Sequence, residues 1–370
     1  MVQHKKLSPF EEKLNQWFAA YLTRINLIHK IFFFEHLRTM LHAGLSLTES
    51  LSILSKETEQ KKMKSVIDGL LAEVESGKQL STALGMYEKY FPSMYIKMIA
   101  SGETAGILEE TLEHIVTQMK KNHELISKVH GALIYPAVIL SAVAAVGILM
   151  TTVVLPKLVV LFEEFETKLP LSTRILINIT NIFSNPLYLG IMLAFILALG
   201  ITFFVLLKKS ALFKKIIHSI NLKMPILGTI IKHINLARFS LTLSSLLQST
   251  IPIVEAVDIS ADTCGNLLYK ETLKETAMRV KKGEALSQVL SSFPALYPPM
   301  VTEMILVGER SGEVNRLLTE IAGFYSDEVD KTMKNMSTII EPVIIIVLGI
   351  IVAGVAIAVV MPMFNLIQNF

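Results

Sequence analysis

Three stretches of this chain contain no Asp, Glu, Lys or Arg: between Lys128 and Lys157, between Arg174 and Lys208, and after Glu341. Each exceeds the roughly 20 apolar residues that a helix needs to cross a hydrocarbon core. The runs read ALIYPAVILSAVAAVGILMTTVVLP, PLYLGIMLAFILALGITFFVLL and PVIIIVLGIIVAGVAIAVVMP. One such run could be a buried helix of a soluble protein. Three of them imply a chain that crosses a bilayer three times and carries soluble parts between the crossings. Charged residues make up 18% of the chain and apolar ones 52%, against about a quarter charged in ordinary soluble domains. The single cysteine, Cys264, excludes a disulfide framework and any Cys-rich metal centre. A net charge of +3 makes no bulk-charge case for direct nucleic-acid binding.

Lys and Arg beside the runs set the expected orientation. Lys120, Lys121 and Lys128 precede the first run, Lys208, Lys209, Lys214, Lys215 and Lys223 follow the second, and Lys331 and Lys334 precede the third. The expected organisation is an N-terminal amphipathic segment 1–29, a cytoplasmic helical domain 30–130, a span 131–156 and an external loop 157–185. A second span 186–207, a second cytoplasmic helical domain 208–338, a third span 339–362 and an external tail 363–370 complete it. The N-terminus lacks the apolar core and cleavage site of a signal peptide. Ser8, Pro9 and Glu11 instead suit a helix start, with Phe10, Leu14, Trp17 and Tyr21 near one face.

A shift of 206 residues aligns the two halves without a gap. Phe33 meets Phe239, Leu37 meets Leu243, Glu49 meets Glu255, Leu80 meets Leu286, Gly102-Glu103 meets Gly308-Glu309 and Gly106 meets Gly312. Pro136 meets Pro342, and Pro156 meets Pro362. The expected unit is therefore a cytoplasmic helical bundle of six helices followed by one span, with the middle span returning the chain between two parallel copies. The paired prolines are 20 residues apart in each copy, about 30 Å of helix. They are expected to bracket the spans, starting a helix on one side and stopping it on the other. Apolar residues recur at helical spacing in each copy, broken near Gly44 and at Thr250-Ile251-Pro252.

No phosphate-cradling Walker motif, HExxH, GxSxG or paired-cysteine site is present, so neither catalysis nor a cofactor is expected. His29, His36 and His42 form the nearest histidine cluster, but Asn235, Thr242 and Gln248 stand at the matching places in the second copy. The spans carry Tyr135, Ser141, Thr151, Thr152, Tyr188 and Thr202 and no ionisable pair that would mark an ion path. Glu341 is read as interfacial, near the start of the third span.

The tracts SGETAGILEETLEHI (101–115) and VGERSGEVNRLLTEI (307–321) resemble the doubled motif of the type II secretion F / type IV pilus PilC family. FEHLRTMLHAGLSLTESL, VVLPKLVVLFEEFETKLPLSTRIL and IIEPV with its span resemble it too, so the likeness runs from about residue 30 to the end. The departure is Thr250, where the first copy has Gly44. The resemblance implies an all-α inner-membrane platform protein, N-terminus cytoplasmic and C-terminus external. It links a cytoplasmic hexameric ATPase to pilin or pseudopilin subunits, among other inner-membrane assembly proteins, and works as a homo-oligomer without being an ATPase itself.

Within the motif, Gly102, Glu103, Gly106, Gly308, Glu309 and Gly312 are the candidate partner-contact residues. Glu103 and Glu309 are expected either as helix caps or first-turn acids, or as groups that touch the motor, the other lobe or a cation. Lys97 and Arg310 stand near enough to pair with acidic groups. Replacing both glutamates by alanine is expected to leave the protein folded and weaken function. A membrane scaffold without motor coupling and a small transporter are the rival readings.

Overall fold

The computed structural model describes residues 25–154 and 186–368; the expected N-terminal helix, the loop 157–185 and Pro156 lie outside them. The described residues form helices and connecting turns. In the first half these are α1 (Leu27–His42), α2 (Leu47–Glu57), α3 (Lys61–Glu75), α4 (Leu80–Gly85), α5 (Ser93–Ala105) and α6 (Leu108–Leu149), the last continued by a π-helical turn, Met150–Val154. After α7 (Pro186–Lys209) and α8 (Ala211–Lys223) come α9 (Leu227–Gln248), α10 (Ile253–Thr263), α11 (Leu267–Val280), α12 (Leu286–Ser291), α13 (Pro299–Ser311) and α14 (Val314–Gln368).

The chain divides into two compact units. The described part of the first comprises residues 25–126 and 234–326 and holds two helical lobes. In each lobe successive helices pack on one another, and the contacts are made by the apolar positions of the helical period. In the first lobe Phe34 and Leu37 of α1, Leu51 of α2, Ile67 and Leu70 of α3, Leu84 of α4, Ile99 of α5 and Leu112 and Ile115 of α6 are buried. In the second, Phe239, Leu243, Val257, Leu273, Leu290, Ile305, Leu318 and Ile321 are buried. The aromatic centres differ. Phe33 and Phe34 pack against Phe91 in the first lobe. In the second, Tyr297 stacks edge-on with Phe239 and Tyr269, and the buried Tyr269 hydroxyl donates to the Leu296 carbonyl at 2.7 Å. A tyrosine is tolerated there because its hydroxyl is satisfied.

The described part of the second unit comprises residues 127–154, 186–233 and 327–368. Among the described residues three helices, α6, α7 and α14, are long and apolar enough to cross a bilayer, and this unit holds α7 and the C-terminal parts of α6 and α14. α6 has 42 residues and α14 has 55, or about 63 and 82 Å at 1.5 Å per residue. Each is much longer than a crossing requires, because each begins as the last helix of a lobe. The prolines behave differently from expectation. Pro136 lies inside α6, and α14 runs through both Pro342 and Pro362. A proline removes one backbone donor, yet within a span the remaining hydrogen bonds stay intrasegment and the helix carries on. The same continuity places Glu341 far from the N-terminus of its helix, so no helix start accommodates its charge. The tail after Pro362 likewise continues as helix to Gln368.

Candidate functional site

Each of the doubled-motif residues answers a local need of the backbone. Gly102 is buried in α5 where α6 crosses it, and a Cβ there would collide with the Thr111 side chain. Gly106 ends α5 in the left-handed conformation, φ +72°. The Ile107 N–H donates back to the Gly102 carbonyl at 2.8 Å, which closes a Schellman turn and aims the chain into α6. Glu103 stands in the last turn of α5, not in a first turn. Its carboxylate reaches α4 and accepts from the Leu80 N–H at 2.6 Å and the Ser81 N–H at 3.1 Å. α4 has only Gln79 before it, whose side chain makes no cap. The half-buried Glu103 supplies the cap from another helix and places its charge at the positive end of α4.

The second lobe repeats this corner. A Cβ on Gly308 would lie 2.9 Å from the Val314 Cα, Gly312 is left-handed at φ +77°, and the Glu313 N–H donates to the Gly308 carbonyl at 3.0 Å. Glu309 accepts from the Leu286 N–H at 2.7 Å and the Ser287 N–H at 3.3 Å, and from the Ser287 hydroxyl. These six residues therefore form two corners, each tying a short helix to the root of a membrane-directed helix.

The lobes meet along a polar seam. Lys97 of α5 pairs with Glu255 of α10 at 2.9 Å. The Ser101 hydroxyl donates to the Ser249 carbonyl at 2.9 Å and lies 3.1 Å from the Thr250 hydroxyl. These side chains, with Ala100, Thr104 and Pro252, line an open cleft of about 430 Å³. Sequence equivalents part company here. Glu49 closes a capping box with Ser46, whose hydrogen bonds hold its carboxyl below the ordinary range. At the position matching Ser46 the second lobe has Pro252, which offers no hydroxyl, and Glu255 reaches across the seam instead. Arg310 is exposed.

Thr250 carries the seam's strain. It ends the α9 turn with φ +61°, where Gly44 ends the matching turn with φ +88°. A β-branched residue in the left-handed region costs about 1–3 kcal/mol. The α9–α10 turn keeps the Schellman hydrogen bonds nonetheless, Ile251 N–H to the Leu246 carbonyl at 3.1 Å among them. A second cleft, about 240 Å³, is lined by Tyr95, Gln118, Arg238 and Asp262. Tyr95 donates to Gln118 at 2.8 Å inside it. Burial pushes the Cys264 thiol up to about 12 despite the nearby Arg238 guanidinium, so the thiol is kept protonated.

Among the described residues no three of His, Cys, Asp and Glu come close enough to share a metal ion. Of the three histidines nearest in sequence, His42 pairs with Glu109 at 2.5 Å, while His29 and His36 border a separate cleft in the first lobe. In the first span the Ser141 and Thr152 hydroxyls donate to the Ala137 and Ile148 carbonyls of their own helix, at 2.7 and 2.8 Å. Such back-bonding satisfies a hydroxyl within hydrocarbon without a partner helix.

Comparison with known proteins places these features. A family model described as type II secretion system (T2SS), protein F, matches residues 33–156 and again residues 239–362. The type IV pilus assembly protein PilC of Thermus thermophilus is 31% identical over 335 residues, which cover 90% of this chain and 82% of that protein. The protein of the same name from Pseudomonas aeruginosa is 30% identical over 334 residues, 90% and 88% of the two chains. The type II secretion system protein F of P. aeruginosa is 31% identical over 337 residues, 90% and 82%.

Proposed function

The chain belongs to the type II secretion system protein F family, and on that premise we propose that it is the inner-membrane platform of a type IV pilus or type II secretion machine. In this reading it couples a cytoplasmic hexameric ATPase to the insertion of pilin or pseudopilin subunits into a fibre. We propose cytoplasmic helical lobes at 30–130 and 208–338 and spans at 131–156, 186–207 and 339–362. The two lobes face the cytoplasm, the N-terminus lies on that side and the C-terminus outside, and the protein works as a homo-oligomer and not as an enzyme.

The observation that carries the proposal is the pair of corners at Glu103 and Glu309, each tying a lobe to the root of a helix long enough to cross the membrane. A motor pushing on a lobe needs such a stiff joint to move a span, since a flexible linker would absorb the displacement. The polar seam supports the same reading. Among the described residues it carries one cross-lobe ion pair, half exposed, and a few hydroxyl contacts, beside a cleft where Met94 and Tyr95 face Leu241, and exposed pairs of this kind separate at low cost.

The test is capture of the ATPase encoded beside this gene by the purified full-length protein in lipid nanodiscs, followed by its ATP hydrolysis rate. Capture with stimulated hydrolysis is the expected result. A correctly folded platform that captures pilin but neither captures nor stimulates the motor would leave a scaffold without motor coupling.

A further inference from the structure

The helix α8 follows the middle span after a single residue, Ser210, whose hydroxyl caps it by accepting from the Phe213 N–H at 3.2 Å. None of its residues is buried. Phe213 packs edge-on against Phe203 of α7, which ties the start of α8 to the end of the span. At 100° per residue Leu212, Ile216 and Ile220 form a stripe, with Phe213 and Ile217 along one edge. The stripe is open: Leu212 is 76% exposed, Ile216 55% and Ile220 51%. Met224, Ile226 and Leu227 extend the exposed apolar surface past the helix end. Lys214, Lys215 and His218 occupy the opposite face. A contiguous apolar stripe next to a membrane span is not stable facing water.

Charge says what meets it. Between Glu166 and Glu255 the chain has no acidic residue and nine Lys or Arg, five of them the lysines at 208, 209, 214, 215 and 223. We propose that α8 lies in the plane of the membrane surface, its Leu212–Ile216–Ile220 stripe in the headgroup and acyl boundary, and that its lysines bind anionic phospholipid headgroups. Lys214 and Lys215 lie opposite the stripe, while Lys223 falls in line with it at the last residue of the helix; a helix of this composition settles at that depth, and lysine stems let the ammonium groups reach up to phosphate. The one-residue connection starts α8 at the edge of the span. Past Pro225 the chain turns sharply, with Ile226 held at φ +63°, before α9 begins. The surface helix therefore sits between the middle span and the first helix of the second lobe in chain order. The inference rests on α7 crossing the bilayer and on nothing else in the functional proposal.

The test uses full-length protein carrying Trp17→Phe, which removes the one native tryptophan, with a single tryptophan restored as Phe195→Trp in α7, Ile216→Trp or Lys215→Trp. Each is reconstituted in vesicles with and without brominated phospholipid. Phe195→Trp reports the span. Ile216→Trp is expected to emit at shorter wavelength and to be quenched several-fold more than Lys215→Trp. Quenching at Phe195→Trp with none at Ile216→Trp overturns the proposal and leaves the span intact, while no quenching at either overturns both. A blue-shifted Ile216→Trp that bromine does not quench means protein covers the stripe, which also overturns it. Energy transfer from Ile216→Trp to dansyl-labelled lipid is expected to be several-fold stronger for phosphatidylglycerol than for phosphatidylcholine. The Lys214→Gln, Lys215→Gln and Lys223→Gln changes together should abolish that preference. A preference that survives them overturns the headgroup assignment.

Discussion

Glu103 holds the first backbone N–H of α4 at 2.6 Å from a position 23 residues further along the chain, and Glu309 holds that of Leu286 in the same way at 2.7 Å. Both carboxylates are half-buried and turned inward, onto helix termini. Glu103 accepts two hydrogen bonds and Glu309 three within their own lobes, which favours their stiffening the joint beneath each lobe over their meeting a motor or a cation.

Removing either carboxylate therefore has a stability cost. A lost helix cap costs about 0.5–2 kcal/mol, and amides left unsatisfied in a half-buried site push the figure toward 1–3 kcal/mol. Glu103→Ala and Glu309→Ala are each expected to lower stability by that order, and together by about the sum, since the sites share no partner. Glu103→Gln, which keeps an acceptor oxygen, is expected to cost less. Thermal unfolding of the full chain in one detergent measures all four. Unchanged midpoints with lost ATPase capture would instead make these glutamates contact residues, the alternative expected from sequence.

Thr250 offers a change in the opposite direction. Thr250→Gly relieves about 1–3 kcal/mol of left-handed strain and returns part of it as about 0.5–1 kcal/mol of added chain entropy. The variant is expected to be more stable than the parent, even after losing the hydroxyl contact with Ser101. The mirror change, Gly44→Ala, should destabilise, and for a purely conformational reason, because a Cβ at Gly44 meets nothing within 4 Å. Equal and small effects at both positions would mean that the strain at Thr250 is absorbed by its surroundings.

Much of this architecture is legible in the chain because it is written in patterns one segment long. Charge-free runs mark the spans, and Phe33, Leu37, Phe239 and Leu243 fall into the cores their helical spacing implies. What is not legible depends on contacts between segments. Nothing local tells that Glu103 caps a helix 23 residues before it. The prolines misled because a breaker's local preference loses to a membrane that demands unbroken helix; Pro136 and Pro342 sit mid-helix. The seam does carry a local signal. Ser46 stands three residues before Glu49, a capping box, whereas Pro252 stands three residues before Glu255, so that acid has no local hydroxyl and pairs with a cation instead.

That cation, Lys97, is expected to contribute little. Both partners are about half exposed, at 46% and 48%, and exposed pairs contribute about 0.2–1 kcal/mol. A double-mutant cycle on Lys97→Ala and Glu255→Ala should give a coupling energy in that range, shrinking as salt rises toward a Debye length of about 3 Å at 1 M. A coupling well above 1 kcal/mol, insensitive to salt, would mean that the seam is closed to solvent and would count against its easy separation.

The pH dependence of stability has a definite sign at His233 of α9. Burial holds its imidazolium form back, outweighing the nearby Glu328, so it titrates below the ordinary histidine value, near 6.5. The unfolded chain then takes up a proton as pH falls through about 6.5 while the folded chain does not, and stability drops over that window and keeps dropping until the folded pKa is passed. Above the unfolded value the group contributes no slope. His218, lowered by burial and by Lys214, acts with the same sign. The unfolding midpoint of the full chain is expected to fall between pH 7.5 and 5.5, and His233→Gln should flatten that fall, leaving the share that belongs to His218. A variant whose midpoint follows the parental slope across the whole window would show that His233 protonates as readily in the folded protein as in the unfolded chain.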